Sequence, residues 1–167
     1  MLYNALYSYV AYPILFILPA YVSNGAPVLF GGGMPLDFKK KLIGKRLFGD
    51  HKTVRGLVAG ILSGLFVAFL ESLFLPFMLL TGLLLTLGTH AGDLLGSFVK
   101  RRAGIAEGAS VPVLDQYLFF VFALLFALPA GHMPKALGVL FLVILTGLLH
   151  IATNKAAYML KVKKVPW

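Results

Sequence analysis

The chain has 167 residues, 59% of them hydrophobic, and a mean hydropathy of +0.90. This composition excludes a water-soluble globular domain and indicates an integral membrane protein. Cysteine is absent, which excludes disulfides and thiolate metal sites, and the net charge of +9 comes without a nucleic-acid-binding motif. Anionic lipid headgroups explain basic residues at a membrane edge, so we expect membrane lipids and no nucleic acid as partners of this charge.

Five apolar segments follow one another along the chain, each near the roughly 20 residues that a helix needs to cross a bilayer. The first has no charged side chain before Asp37 and lacks the features of a signal peptide, so we expect it to remain in the mature chain. A tight turn near Pro76 separates the second segment from the third. The predicted spans are residues 2–21, 56–73, 77–99, 115–130 and 135–158.

The sequence therefore predicts an all-α integral membrane bundle of five transmembrane helices, with two long cytoplasmic loops and a single domain over residues 1–167. All basic residues except Lys135 fall on one side of this arrangement. Because cytoplasmic loops are enriched in Lys and Arg, we expect the N-terminus outside the cell membrane and the C-terminus and both long loops in the cytoplasm. The basic residues on that side are Lys39, Lys40, Lys41, Lys45, Arg46, Lys52, Arg55, Lys100, Arg101, Arg102, Lys155, Lys161, Lys163 and Lys164.

The first long loop begins at Asn24 and contains three consecutive glycines, residues 31–33. Such a run permits sharp turns and can present N–H groups to an anion, and it is also typical of plain flexibility. The loop ends in GDHKTVRG, which delivers Lys52 and Arg55 to the start of the second helix. Taken alone, either cation also fits a lipid-facing anchor.

The end of the third predicted helix carries the densest group of polar side chains. Asp93, Ser97, Lys100 and Arg101 lie at i, i+4, i+7 and i+8, and so share one helix face. A carboxylate at membrane depth is costly unless it faces a cavity, an ion or a partner, so this face suits a divalent cation at one end and phosphates at the other. A structural pair of Asp93 with Lys100 or Arg101 is the alternative. Ser97 also suits helix packing, and Asp115 also suits a helix N-cap.

Other polar residues receive structural interpretations. Arg102 and the three lysines at 39–41 are predicted to be solvated or lipid-facing charges. His90 precedes Asp93 by three residues and can support a ligand indirectly, but one His and one Asp do not make a zinc site. His51 and His132 are predicted to be loop residues without partners.

Two parts of the sequence resemble a known enzyme family. GDLLGSFVKRRAGIAEGASVPVLDQ resembles the C-terminal motif of the membrane cytidylyltransferases that form CDP-alcohols, in which a Ser precedes a Lys-Arg pair and a Pro-containing loop ends in Asp. NGAPVLFGGGMPLDF and KRLFGDHKTVRG resemble the archaeal CDP-archaeol synthases more narrowly. The resemblance covers about residues 24–116. SVPVLD replaces the Gly-His-Gly-Gly element of the bacterial phosphatidate cytidylyltransferases. This departure weakens a bacterial substrate assignment, which is kept as the alternative, and leaves Asp115 as a candidate metal ligand.

The resemblance implies a Mg²⁺-dependent enzyme that transfers CMP from CTP to digeranylgeranylglyceryl phosphate, an isoprenoid lipid phosphate, and releases pyrophosphate. A phosphate monoester is already an anionic nucleophile, so the site must mainly neutralise charge. Carboxylates suit the metal, and Lys and Arg suit the phosphates. The resemblance implies Asp93 and Asp115 as metal ligands. It implies that these two residues are catalytic together with Lys100 and Arg101. The implied substrate-binding residues are Lys52, Arg55, Ser97 and Asn24.

A small membrane transporter or accessory subunit is the alternative outside the enzyme class. Transporters commonly have inverted repeats and discontinuous helices with a site near the middle of the membrane. In this chain the polar cluster lies at one membrane face, beside two basic loops. That position favours an enzyme that works at the membrane interface.

Overall fold

The computed structural model describes residues 2–162 and consists mainly of helices. Five helical segments are long and apolar enough to cross a membrane, which confirms the predicted number of spans. Lys163 and Lys164, which we expected on the cytoplasmic side, lie outside the described residues.

The first helix, Leu2–Phe30, is longer than the predicted span. It contains a π-helical segment at Tyr7–Ala11, and its α-helical part continues through Pro19 and Pro27. Proline is tolerated in membrane helices because neighbouring helices and local adjustments satisfy the backbone groups that it frees. Asn24 therefore lies inside the first helix, and its predicted place in the loop is wrong.

The other four helices begin and end within three residues of their predicted bounds. The third reaches Arg102, so Lys100, Arg101 and Arg102 lie in its last turn and not in the connection that follows. Basic side chains at this end interact favourably with the helix dipole. The second and third helices meet at a turn around Pro76, as predicted. The bounds of these four helices are Val54–Ser72, Met78–Arg102, Pro112–Ala127 with a 3₁₀ turn at Leu128–Ala130, and Ala136–Met159.

The third helix is the most enclosed of the five and packs against the first, second and fourth. Glycines allow its close approach to the fourth helix: a Cβ at Gly88 would lie 2.9 Å from the Cα of Ala123, and one at Gly92 would lie 2.8 Å from the Cα of Phe119. An apolar core that includes Phe16 lies beside these contacts. This packing fixes the helix that carries Asp93.

The two loops that follow the first and third helices lie at the same end of the bundle. Strand Lys41–Leu42 pairs with strand Lys45–Arg46 in an antiparallel hairpin. Arg102 donates hydrogen bonds to the carbonyl oxygens of Lys45 at 2.9 Å and Arg46 at 2.6 Å, and also to that of Leu42. The prediction that Arg102 is a solvated or lipid-facing charge is therefore wrong, because it fastens the hairpin to the third helix.

Candidate active site

Lys52 and Asp93 form an ion pair that joins the first loop to the third helix. The Lys52 Nζ lies 2.6 Å from each carboxylate oxygen of Asp93, although the two residues are 41 positions apart. Two backbone hydrogen bonds fix the segment that starts at Lys52: the Lys52 carbonyl accepts the N–H of Leu36 at 2.7 Å, and the N–H of Val54 donates to the carbonyl of Met34 at 3.0 Å. The two side chains are 28% and 31% exposed, so the pair is accessible from outside the helix bundle.

Lys100 and Asp115 form a second ion pair, between the third and fourth helices. The Lys100 Nζ lies 2.7 Å from Asp115 Oδ1, while Asp115 Oδ2 accepts the backbone N–H of Val111 at 2.9 Å. Val111 is the N-cap of the fourth helix and Asp115 lies in its first turn. Asp115 is therefore not the N-cap, but it does satisfy a backbone donor at the helix start.

The structure contradicts the predicted alternative in which Asp93 pairs with Lys100 or Arg101, because each carboxylate takes a lysine from another element. A residue seven positions along a helix lies roughly 10 Å away along the axis, at about 1.5 Å per residue. Asp93 and Lys100 share a face but lie too far apart for a direct pair. Each half-exposed carboxylate is instead neutralised by one ammonium group.

Arg101 binds the loop that follows the third helix. It is buried, its guanidinium donates to the carbonyl oxygen of Ala106 at 3.1 Å, and its Nη1 lies 3.9 Å from Glu107. Glu107 in turn accepts the backbone N–H of Asp50 at 3.0 Å. Arg101 thus helps to hold the two loops together, a contact that the sequence did not indicate.

Ser97 and Asn24 are both built into helices, and only Ser97 contacts a residue of the two ion pairs. The Ser97 hydroxyl is buried and donates to the backbone carbonyl of Asp93 at 3.1 Å. Asn24 is half-buried in the first helix, next to Ser23, whose hydroxyl is hydrogen-bonded to His90 at 2.9 Å. Ser23 was not among the predicted residues. It gives the buried imidazole a partner from another helix.

Two cavities flank the second helix where it begins. A small one, about 40 Å³, is lined by residues that include His51, Lys52, His90 and Asp93, which brings both histidines near the first ion pair. The other is an open groove of about 570 Å³, and Arg55 lines it together with apolar side chains and the glycine turn. Lys52 and Arg55 are three residues apart but line different cavities.

Thr53 and His132 have partners that the sequence did not reveal. The Thr53 hydroxyl accepts the N–H groups of Gly56 at 3.1 Å and Gly32 at 3.2 Å, so it caps the second helix and ties down the glycine turn. The His132 ring stacks on Phe77 with the ring centroids 4.0 Å apart. The prediction that His132 lacks partners is wrong.

Asp37 is the most enclosed charge of the first loop, and sequence reasoning gave it no role. Its carboxylate accepts hydrogen bonds from Arg46 at 2.6 and 3.0 Å and from the backbone N–H groups of Lys39, Phe48 and Gly49. Burial by itself raises the pKa of Asp37, but these hydrogen bonds outweigh it and hold the pKa below its usual range. The available signal was that the loop carries only two acids, Asp37 and Asp50, among seven basic residues.

The carboxylates at this end provide hard oxygen donors for a cation. Within residues 2–162 there is no group of three or more His, Cys, Asp or Glu side chains that could hold a metal ion. Mg²⁺ does not require such a group, because it is usually bound by one or two carboxylates together with waters and substrate phosphates. Asp93 and Asp115 fit that requirement, and each already faces a positive charge.

The chain is similar to known enzymes over nearly its whole length. The family model described as "CarS-like: CDP-archaeol synthase" matches residues 6–167. The CDP-archaeol synthase of Methanopyrus kandleri is 51% identical, over 91% of this chain and 90% of that protein. The CDP-archaeol synthase of Pyrococcus furiosus is 42% identical, over 93% and 99%. A solved intramembrane enzyme for archaeal membrane lipids biosynthesis is 38% identical with a TM-score of 0.78, over 84% of this chain and 91% of that one.

Proposed function

This chain belongs to the CDP-archaeol synthase family, and we propose that its two lysine–carboxylate pairs are where the cytidylyl transfer takes place. It is a multi-pass membrane cytidylyltransferase that transfers CMP from CTP to an archaeal lipid phosphate and gives CDP-archaeol and pyrophosphate. One observation carries the proposed site: the Lys52–Asp93 pair joins the first loop to the third helix, so two motifs distant in sequence meet at one half-exposed point.

Lys52 and Lys100 are proposed to bind phosphate oxygens of CTP. Each ammonium lies 2.6 or 2.7 Å from a carboxylate. Both pairs are partly exposed, so an anionic nucleotide can compete for the ammonium groups. The lysines would then exchange one oxygen anion for another, and Asp93 and Asp115 would be released to bind a cation.

Asp93 and Asp115 are the residues that would hold Mg²⁺. The bound ion would supply neutralisation of the charge on the phosphates and on the leaving pyrophosphate. An oxygen of the lipid phosphate attacks the α-phosphorus of CTP, the bond to pyrophosphate breaks, and no protein base is required because the nucleophile is already an anion. The side chains of this site therefore act by placing charge.

Arg55 is proposed to bind the phosphate of the isoprenoid lipid. It lines the groove that Val58 and Leu62 continue along the second helix, and those two side chains are 48% and 61% exposed. A guanidinium fork suits a phosphate, and the apolar continuation suits a hydrocarbon chain. Ser97 and Arg101 are proposed to shape the site, through the Asp93 backbone and the following loop respectively.

The orientation and extent of the catalytic unit are part of the proposal. The end of the bundle that carries both ion pairs is proposed to face the cytoplasm, where CTP is available, with the N-terminus outside. The bias of Lys and Arg toward this end supports that orientation. Residues 1–167 are proposed to act as a single catalytic domain, since the two pairs draw on the first loop, the third helix and the fourth helix.

A direct assay tests the function. Purified protein in lipid nanodiscs is mixed with CTP labelled in the α-phosphate, Mg²⁺ and digeranylgeranylglyceryl phosphate, and the CDP-lipid and pyrophosphate are measured. We expect the two products in equal amounts. Phosphatidic acid serves as the alternative lipid, and preferential use of it would favour the bacterial type of substrate. No product with either lipid would overturn the proposed function.

A further inference from the structure

We propose that Asp37 is a positioning residue for the transfer, because its buried carboxylate closes the first loop into the shape that holds Lys52 against Asp93. The inference rests on the proposed function, in which Lys52 binds CTP. Asp37 itself is not proposed to touch a substrate.

The hydrogen bonds of Asp37 leave its carboxylate no room for a ligand. Its side chain is fully buried, and its two oxygens accept five hydrogen bonds, two from Arg46 and three from backbone N–H groups. A carboxylate offers about four lone-pair sites, so these donors saturate it. A role in binding metal or phosphate is thereby excluded, and a role in fixing the loop remains.

The segment that contains Asp37 is also the one that holds the backbone of Lys52. The N–H of Leu36 donates to the Lys52 carbonyl at 2.7 Å, and Pro35 forms a β-bridge with Thr53. From the other direction, Asp37 fixes Gly49, three residues before Lys52, at 3.2 Å. The hydrogen bond between Asp37 and Gly49 therefore joins the two ends of the loop between them. One end is next to Leu36, which binds the Lys52 carbonyl, and the other end is three residues before Lys52.

The backbone beyond Asp37 requires such a restraint. Phe38 and Lys39 have φ angles of 48° and 61°, in the left-handed region that residues with side chains rarely adopt. The bond from the Lys39 N–H to Asp37 Oδ1, at 3.0 Å, stabilises this turn. Without the carboxylate acceptor, the two residues would favour ordinary backbone angles, and the loop would open.

Arg46 extends the effect of Asp37 to the third helix. Its guanidinium binds Asp37 while its carbonyl oxygen accepts a hydrogen bond from Arg102 at 2.6 Å. Arg102 lies in the last turn of the helix that carries Asp93. The chain of contacts Asp37–Arg46–Arg102 therefore sets the loop against this helix, and with it the position of Lys52 relative to Asp93.

Asp50 provides a matched control within the same loop. It also binds Arg46, at 2.8 Å, but its side chain is 63% exposed and makes no other side-chain hydrogen bond within residues 2–162. Asp50→Asn thus removes the same charge from the same arginine without opening the buried closure. Asn at position 37 retains one acceptor oxygen but turns an NH₂ group toward donors, so at least one donor loses its partner.

The test compares Asp37→Asn with Asp50→Asn in the full chain in nanodiscs, with the KM for each substrate, kcat and the folded fraction measured. We expect Asp37→Asn to raise the KM for CTP about tenfold or more, as when a supporting group of a ligand is removed, with the KM for the lipid phosphate unchanged. Asp50→Asn should stay within about twofold of wild type. A purely structural role would lower the folded fraction and leave both KM values unchanged, which would overturn the inference.

Two further variants keep the outcome decisive. Arg46→Lys retains a positive charge beside Asp37 but loses the bidentate hydrogen bonding of the guanidinium. We therefore expect the KM for CTP to rise in this variant, but less than in Asp37→Asn. If Asp37→Asn does not fold, a wild-type KM in Arg46→Lys overturns the inference. Lys52→Met tests the proposed site separately. A wild-type KM for CTP in Lys52→Met would reject the site. A raised KM for CTP in Lys52→Met together with a wild-type KM in Asp37→Asn would reject only the positioning role of Asp37.

Discussion

Replacement of Asp93 by Asn is expected to separate catalysis from stability. Asn keeps the size of the side chain but removes the charge that faces Lys52 Nζ at 2.6 Å. Because the side chains of this pair are 28% and 31% exposed, solvent screens much of their attraction, and we expect a loss of about 1 kcal/mol or less in unfolding free energy. That loss corresponds to a few degrees in Tm at most for a chain of this size.

The expected effect on the reaction is larger, because the same carboxylate is proposed to hold the cation that neutralises the phosphates. Removing one group that stabilises developing charge typically costs about 3 to 4 kcal/mol, which lowers the rate roughly 100- to 1000-fold. Asp115→Asn should behave similarly. Its amide oxygen can still accept the Val111 N–H, so the start of the fourth helix is retained.

The assay measures kcat/KM over a Mg²⁺ titration alongside thermal unfolding in detergent. Lys155→Gln is the control, because Lys155 is exposed on the fifth helix and outside the proposed site. We expect both Asp variants to unfold near the wild-type temperature and to recover little activity with excess Mg²⁺. Wild-type turnover by both variants at limiting Mg²⁺ would refute the assignment of the two carboxylates as metal ligands.

Three other outcomes follow from the described geometry. Cysteines at Lys40 and Ala106 should react with an impermeant thiol reagent from the cytoplasmic side only, and one near the N-terminus from outside only; labelling of the first two from opposite sides contradicts the topology. Gly64→Ala should lower the unfolding free energy by about 1 to 3 kcal/mol, since its Cβ would lie 2.9 and 3.0 Å from side-chain carbons of the first and third helices, whereas Gly25→Ala, with nothing within 4 Å, should not lower it. Because the pKa of Asp37 is lowered in the fold, its ionised form stabilises the protein at pH values above its ordinary pKa of 3.8, and this contribution should be lost as the pH falls below 3.8. Asp37→Asn should lack this part of the pH dependence of Tm. A pH profile of Tm identical to that of the wild type would contradict the role of the Asp37 charge.

The membrane spans could be predicted from the sequence because hydropathy and bilayer thickness constrain them directly. The exception was the end of the first helix. Pro19 and Pro27 would end a helix in water, but the first helix continues through both to Phe30. Its continuation depends on neighbouring helices, which local sequence does not reveal.

The sequence predicted which residues belong to the candidate site better than it predicted which of them form ion pairs with one another. Asp93 and Lys100 stand out as charges at the end of an apolar helix, and helical periodicity places them on one face. Periodicity says nothing about residues from other elements, so the actual partners Lys52 and Asp115 had to come from the structure. Asp37 was missed for a related reason: its burial is produced by a loop whose closure depends on Arg46, nine residues away.

The acidic residues are concentrated at the end of the molecule that carries the proposed site. Five of the six acidic residues lie there, and each forms an ion pair with Lys or Arg. Glu71, the sixth, lies near the opposite end of the second helix. Each pair has no net charge, which limits the cost of holding these carboxylates at the membrane edge. The excess of basic over acidic residues favours the approach of an anionic nucleotide and a lipid phosphate. In the proposed site, binding would proceed by exchange of partners, with the phosphates taking the lysines and the cation taking the carboxylates.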